Sequence, residues 1–503
     1  MTSPVKKVGH WIGGKTSDGE SGRTAPVTDP ATGQVTAQVA LASAAEVDQA
    51  VAAAAEAAQD WSRSSLATRT RVLFAYRELL DRRRDEIARL ITAEHGKVHA
   101  DALGEVARGI EVVEFACGLA QLLKSSGSYE VSTGVDVREI RQPLGVVAGI
   151  TPFNFPAMVP LWMFPMAIAC GNSFILKPSE KDPSAALRVA DLMAEAGLPP
   201  GVLNVVNGDQ VAVRRLLEHP DVAAVSFVGS TPVAQEVYRS GTNAGKRVQA
   251  LGGAKNHMVV LPDADLDVAA DSAVSAGYGS AGERCMAVSV VVAVGDIGDE
   301  LVGKIAERTR GLRVGPGDQS TSDMGPLITA AHRDKVASYV PSARQQGATV
   351  VLDGAAEPIG PDGAHFLGAS LLDDVTPEMD AYRDEIFGPV LSVVRVPTFA
   401  DAMRLVNSSP WGNGAAVFTS DGAAARRFEM EVQAGMVGVN VPIPVPVAYH
   451  SFGGWKGSLF GDHHIYGSDS VHFYTRGKIV TSRWVAPGRG LDLAFPSNAG
   501  TNS

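Results

Sequence analysis

Cysteine is scarce in this chain: 503 residues hold three, Cys117, Cys170 and Cys285. They are too few and too scattered for a disulfide framework, and sparse thiols fit a reducing, cytoplasmic setting. No C-x-x-C or Cys/His cluster occurs, so no metal centre is expected. Excess positive charge is also missing. Lys and Arg total 44 against 55 Asp and Glu, a net charge of -11, which argues against nucleic acid as a partner. The N-terminal "MTSPVKKVGHWIGG" has no apolar run of the secretory kind. Only 142–176 is long and uncharged, and Pro143, Pro152, Pro156, Pro160 and Pro165 interrupt it, with Asn154 and Asn172 inside. A spanning helix needs about 20 consecutive apolar residues. The stretch therefore reads as buried core plus a loop, with no membrane partner.

Several catalytic motifs are absent or fail on context. There is no G-x-S-x-G and no H-E-x-x-H, which weakens serine-hydrolase and zincin readings. "GHWIGGKT" (9–16) fits the phosphate-loop pattern, but "SDGESGRTAPVTDPATG" after it cannot form the required helix. It reads as a turn between strands. "GYGSAG" (277–282) fits G-x-G-x-x-G but follows a helical stretch, so its glycines are better placed to let backbone approach Cys285 closely.

What is present is a regular alternation. Helices are expected over 46–58, 66–94 (stopping before Gly96) and 102–124, followed by a strand pair in "YEVSTGVDVREI". From Leu144, "LGVVAGI", "SFILKPS", "VLNVVNG", "VAAVSFVGS" and "GKRVQAL" are short apolar runs mostly separated by helical stretches. A second series, "VSVVVAV", "ATVVLD", "VLSVVRV", "GAAVFTS" and "GMVGVNV", repeats the pattern. Strand and helix at this spacing imply an α/β protein with two parallel lobes, joined near residue 262. The tail from 486 to 503 is rich in Gly, Pro, Asn and Ser and is expected to be flexible.

Cys285 lies in "GSAGERCMA". A buried structural thiol is one reading, since cysteine is among the most buried residue types. A nucleophile is the other: a thiolate is favoured by nearby positive charge such as Arg284, and attack on a carbonyl needs donors aimed at the oxyanion. Asn154, between aromatics in "TPFNFP", is either such a donor or a satisfied turn residue. Lys177 and Glu180 of "ILKPSE" fall past an apolar strand, where α/β sheets bind ligands. Gly229 and Ser230 open a helix with Pro232 just inside it, a place suited to a pyrophosphate.

"TPFNFP", "ILKPSE", "FVGST", "LGGAKN", "GERCMA" and "EIFGPV", in this order, resemble the aldehyde dehydrogenase superfamily across nearly the whole chain. "GERCMA", "LGGAKNH" and "VGVNVPIPVPVAYHSFGGWKGSLFGD" are similar to its CoA-acylating methylmalonate-semialdehyde and malonate-semialdehyde branch. The resemblance implies Cys285 as nucleophile, with Asn154 and the Cys285 amide as oxyanion hole. It implies NAD held by Thr151, Phe153, Lys177, Glu180, Lys181, Ser230, Gly252 and Glu385; alone, Glu385 would pass for a surface charge. Arg108 and Arg284 would meet the substrate carboxylate, although Arg108 could equally be a solvated helix residue. The partners implied are a small semialdehyde, coenzyme A as co-substrate, and further copies of the chain in a homotetramer. The expected layout is a Rossmann-like NAD-binding domain (1–127 and 142–262), a catalytic domain (263–440) and a β oligomerisation arm (128–141 and 470–485).

One departure from the wider superfamily carries information. Hydrolytic members have E-L-G-G-K, whose glutamate activates water. This chain reads "QALGGAKN", with Leu251 or Ala250 at that place depending on alignment. Neither accepts a proton, and a general base contributes about 10²–10⁴-fold. Oxidation of a short 3-oxo acid with acyl transfer to CoA is therefore expected. A hydrolysing aldehyde dehydrogenase and a non-catalytic protein on the same fold are the alternatives.

Overall fold

Residues 6–484 are described by the structure, a computed structural model. The first sheet is built on Val146–Ile150, flanked in parallel by Ser173–Lys177 on one side and Val222–Val228 on the other. Leu203–Val205 continues the first side and Arg247–Leu251 the second. The chain thus builds outward one way, then returns to build the other way. Ligands in open α/β sheets bind at such a reversal, beyond the carboxyl ends of the strands. "TPFNFP" leaves the end of Val146–Ile150, and Gly229–Ser230 leaves the end of Val222–Val228.

Helices on both faces explain why these strands are apolar without alternation. Val146, Ala148, Ile150 and Ala250 face a cluster with Val47, Val51, Leu216 and Val237. Val147, Phe174, Leu176 and Leu251 face the opposite cluster, with Leu80, Ile91, Val113 and Phe164. The uncharged stretch supplies the wholly buried helix Met158–Ala169, with Pro165 inside it. No helix among the described residues is long and apolar enough to cross a membrane. "GHWIGGKT" forms the hairpin His10–Ile12 and Lys15–Ser17, turning through Gly13 and Gly14 at positive φ on the edge of the first sheet.

The second sheet runs in the order Thr349–Leu352, Ser370–Asp373, Val390–Val396, Val288–Val294, Asn256–Val260, Gly414–Phe418, Met436–Val439. Only the first of these is antiparallel to its neighbour. Asn256–Val260 is an interior strand here, so the passage between sheets falls at 252–255 and not near residue 262. "NHMVV" follows "VQAL" after only four residues, Gly252 to Lys255, too few for the helix that separates most of the other strands. The third expected helix also ends early, at Cys117, where Gly118 breaks it.

Ser126–Ser132, Val135–Pro143 and Thr475–Arg483 form a separate three-stranded sheet. Residues 470–474, expected in the arm, instead lie in the helix Asp469–Tyr474, whose Val471, Phe473 and Tyr474 pack into the first lobe's core. The chain has by then recrossed, because Leu459–Phe460 pairs with Ala250 and Leu251 at the first sheet's edge. Residue 485 and the tail 486–503 lie outside the described residues.

Asn172 pins this recrossing to the sheet. Its Oδ1 accepts from the N–H groups of Leu144 and Gly145, and its Nδ2 donates to Ala167 O and Tyr474 O. Asn172→Leu strands several buried backbone groups at once, each costing about 1–3 kcal/mol. Thermal unfolding of the variant is expected to begin several degrees below the wild type, and an unchanged transition would remove Asn172 from this role.

Candidate active site

Cys285 sits where the two lobes meet, on a loop that begins with an unusual turn. Ser280, Ala281 and Gly282 all have φ between 52° and 73°, and two of them are not glycine. The glycines around the turn have distinct uses. A Cβ on Gly279 would lie 2.5 Å from Arg284 Nη1, and one on Gly282 would lie 2.3 Å from Gly388 O of "EIFGPV". The run does bring backbone close, to Arg284 and to "EIFGPV".

Beyond the turn the loop is held by amides. Asn256 Nδ2 donates to Cys285 O at 2.9 Å and to Ala287 O at 2.9 Å, and Asn413 Nδ2 donates to Cys285 O at 3.1 Å. From the first lobe, Asn154 Nδ2 donates to Glu283 O at 3.0 Å and reaches Cys285 Sγ at 3.3 Å. Asn154 is buried, and its Oδ1 has no hydrogen-bond partner. Its "TPFNFP" loop is fixed from behind by a buried ion pair: Lys97 Nζ donates to Asn154 O at 2.7 Å and to Glu105 Oε2 at 2.7 Å. Glu105 Oε1 accepts from the N–H groups of Ala157 and Met158. Asn154 is thus a rigidly placed donor aimed at the sulfur.

Burial pushes the Cys285 thiol up to about 11; the Asn154 amide lowers it, Glu385 raises it, and the Cys285 N–H and Lys97 lower it. The resting sulfur is therefore a thiol. Arg284 does not supply the lowering charge expected of it. Its Nη2 donates to Asp101 Oδ1 at 2.7 Å, and its guanidinium lies against Gly279 at the end of helix Leu266–Tyr278. The Arg284 side chain makes no other hydrogen bond among the described residues, yet it lines the same cleft as Cys285. Arg108 donates to Glu111 Oε2 and to Pro446 O, and it is not among the residues lining the cleft of Cys285 and Arg284.

The expected cofactor residues gather at the strand ends. Thr151 N donates to Lys177 O at 3.1 Å, and Lys177 Nζ pairs with Glu180 at 3.3 Å. Ser230 is exposed at the N-terminus of helix Thr231–Asn243, and its hydroxyl makes no capping bond there. Helix amides and a free hydroxyl suit a phosphate. Glu385 accepts from Ala254 N at 2.8 Å, and a Cβ on Gly253 would lie 2.2 Å from its carboxylate. Burial raises its pKa, while the Ala254 N–H and Lys255 lower it. Gly252 is pinned through Ser458 O at 3.0 Å. Phe153 packs between His95 and Phe387, and Lys181 stands over its ring at 4.7 Å, turned toward the loop. These groups fit a dinucleotide: a paired hydroxyl-binding site, a phosphate-suited helix end and a carboxylate beside the nucleophile.

Lys97, Glu105, Asn256, Asn413 and Thr231 were not singled out from the sequence. Thr231 Oγ1 accepts from Gly253 N at 2.9 Å, tying the helix start to the passage between the lobes. Only Asn256, in "LGGAKN", and Thr231, in "FVGST", sit in quoted motifs. The others meet the site through contacts distant in sequence within their own lobes, Lys97 and Glu105 beside Asn154 and Asn413 beside Cys285.

The sequence profile of the aldehyde dehydrogenase family matches residues 17–480. The malonate-semialdehyde dehydrogenase of Pseudomonas aeruginosa is 54% identical, over 95% of this chain and 97% of its own. Among solved structures, a methylmalonate-semialdehyde dehydrogenase from Oceanimonas doudoroffii is 56% identical with a TM-score of 0.94, covering 96% of this chain and 99% of its own. A Sinorhizobium meliloti structure, assigned as a methylmalonate-semialdehyde dehydrogenase and complexed with NAD, is 52% identical with a TM-score of 0.95, at the same coverage of 96% and 99%. A cysteine held between two lobes, an amide aimed at it, and a dinucleotide-suited sheet edge converge with these likenesses: the chain belongs to the aldehyde dehydrogenase family.

Proposed function

We propose that the protein oxidises methylmalonate or malonate semialdehyde and transfers the acyl group to CoA, with loss of CO2. The observation that carries this reading is the face on which Leu251 sits. Adjacent strand residues point to opposite faces. Leu251 belongs to the cluster against which Cys285 packs, and Ala250 to the other. Leu251 thus shares a face of the sheet with Cys285, and both positions that could hold a water-activating carboxylate, Leu251 and Ala250, are apolar. The semialdehyde names of the relatives support the substrate class.

In this reading the Cys285 thiol loses its proton to water, its sulfur attacks the aldehyde carbon, and the oxygen, gaining charge, takes hydrogen bonds from Asn154 Nδ2 and the Cys285 N–H. Such preorganised donors stabilise charge where it develops. Bound NAD, held by the Lys177, Glu180, Ser230 and Glu385 groups, supplies the hydride acceptor. The product is an acyl thioester on Cys285. Its β-carboxylate leaves as CO2, the bonding electrons pass to the α-carbon as a thioester enolate, and a proton follows. The same two donors face the enolate oxygen. The CoA thiolate then attacks the thioester carbonyl and Cys285 leaves, giving propionyl-CoA or acetyl-CoA. Arg284, which lines the cleft of Cys285, and Arg108, by the family resemblance, would meet the substrate carboxylate. The three-stranded arm, with exposed Tyr129 and Ile479, is the surface through which copies assemble into a homotetramer.

Cys285→Ala is expected to abolish NADH formation while NAD binding, followed by protein fluorescence, stays near wild type. Retained turnover would return Cys285 to a structural role.

Leu251→Glu places a carboxylate on the face nearest the thioester. Acid release relative to acyl-CoA formation should rise in single-turnover assays, whereas Ala250→Glu, on the far face, should only destabilise. No gain in hydrolysis from Leu251→Glu would mean that CoA dependence has another origin.

Arg108→Leu is expected to raise KM for methylmalonate semialdehyde at least tenfold, about 1.4 kcal/mol, with little change for propionaldehyde. Arg284→Leu should impair both substrates, because it also releases the nucleophile loop from Asp101. Equal losses on both aldehydes for Arg108→Leu would rule out the carboxylate clamp.

A further inference from the structure

Glu283 stands two residues before the nucleophile and has no part in the mechanism above. Its side chain is wholly buried. Oε1 accepts one long hydrogen bond, from Ile328 N at 3.3 Å, and Oε2 has no partner. Two histidines flank the carboxyl: His95 Nε2 is 3.7 Å from Oε2, and His332 Nε2 is 3.7 Å from Oε1. His95 is fully buried, and neither ring nitrogen has a hydrogen-bond partner. His332 is partly exposed, and its Nε2 lies 2.7 Å from Phe387 O.

This cluster joins the elements that build the site. His95 ends the helix Leu66–His95 and stacks on Phe153, the neighbour of Asn154. Phe387 lies two residues beyond Glu385 and packs on Phe153 from the other side. Glu283 O accepts the same Asn154 Nδ2 that reaches the Cys285 sulfur. Any movement of Glu283 therefore moves the oxyanion donor. The turn before it is strained at Ser280 and Ala281, so its conformation depends on the contacts around it, Glu283 among them.

We propose that Glu283 is a positioning residue for the nucleophile: in its neutral form it packs between His95 and His332 and holds Asn154 on the Cys285 sulfur, and its ionisation releases that alignment. The charged and titratable groups facing it are His95, His332, Lys97 and Lys181, with Cys285 on its own loop. Burial raises Glu283 to about 8 from an ordinary 4.5, against smaller lowering by Ile328 N–H, Lys97 and Lys181. Burial also keeps both histidines below their ordinary range, so neither is a cation when Glu283 ionises. The carboxylate is then left with the two lysine ammonium groups as its cationic partners. Lys97 is the group that clamps Asn154 O, so competition for it loosens the donor.

Two consequences are measurable. A carboxyl neutral in the folded protein and ionised in the unfolded chain makes the fold less stable as pH rises from its unfolded to its folded pKa. The thermal midpoint of Glu283→Gln should therefore exceed wild type by a margin that grows from pH 5 to pH 8. The decisive readout is the pH profile of the NADH-forming step in single turnover. Wild type should show a descending limb near pH 8, losing at least threefold by pH 9, and Glu283→Gln should lack it.

Glu283→Met, also non-ionising and of similar volume, serves equally if the glutamine variant does not fold. Loss of the limb in either variant, with the thermal margin present, supports the proposal. A wild type without the limb, or a folded variant that keeps it, overturns the proposal, even where the thermal margin appears. The inference rests on Cys285 as nucleophile. If Cys285→Ala still forms NADH, that reading has failed; if it is inactive while Glu283→Gln keeps the limb, only the present inference has.

Discussion

One buried ammonium group holds the site together. Lys97 makes two short hydrogen bonds, to Glu105 and to the carbonyl of Asn154, in surroundings without solvent. Removing one partner of such a pair costs about 3–5 kcal/mol, because the other charge is left uncompensated. The pair is therefore weak as a source of stability and strong as a source of geometry. Glu105 also takes two N–H groups at the start of the helix that follows the loop. Loop, helix start and oxyanion donor are fixed by one charge, which also lowers the Cys285 thiol.

Under the proposed function, the arrangement accounts for a cysteine with a raised pKa acting as the nucleophile. Two amides lock its carbonyl and a third lies on its sulfur, so little reorganisation is needed when charge develops. The same cleft has an apolar side chain where a base would activate water. Water is a poor nucleophile without that base, whereas a thiolate is not, so under the proposed function the apolar strand end would favour transfer to CoA over hydrolysis.

Much of this was legible in the sequence where the signal is local. The strands of both sheets are short apolar runs, and buried parallel strands have that look whatever their neighbours are. The hairpin behind "GHWIGGKT" was readable because two adjacent glycines favour a tight turn over a helix. Cys285, Asn154 and Glu385 stand out because their flanking residues resemble family motifs, and the structure brings Asn154 to the Cys285 sulfur and Glu385 to the same cleft. Signals set by distant contact were not readable. Asn256–Val260 follows the first sheet so closely that nothing local marks the change of lobe. The helix Asp469–Tyr474 was taken as arm because its burial depends on a core built hundreds of residues earlier. Arg284 looked like a charge for the thiol by adjacency, yet its partner Asp101 lies 183 positions away.

The left-handed turn at Ser280, Ala281 and Gly282 has a consequence for how the sequence can drift. A branched side chain at either of the first two positions meets its own backbone, and any side chain at the third meets Gly388 O. Few residue types are compatible with such backbone, chiefly glycine, asparagine and aspartate. Neutral change is thus confined to a handful of codons just upstream of the nucleophile. The 443–449 segment, where no positive φ restricts the side chains, leaves more room for change.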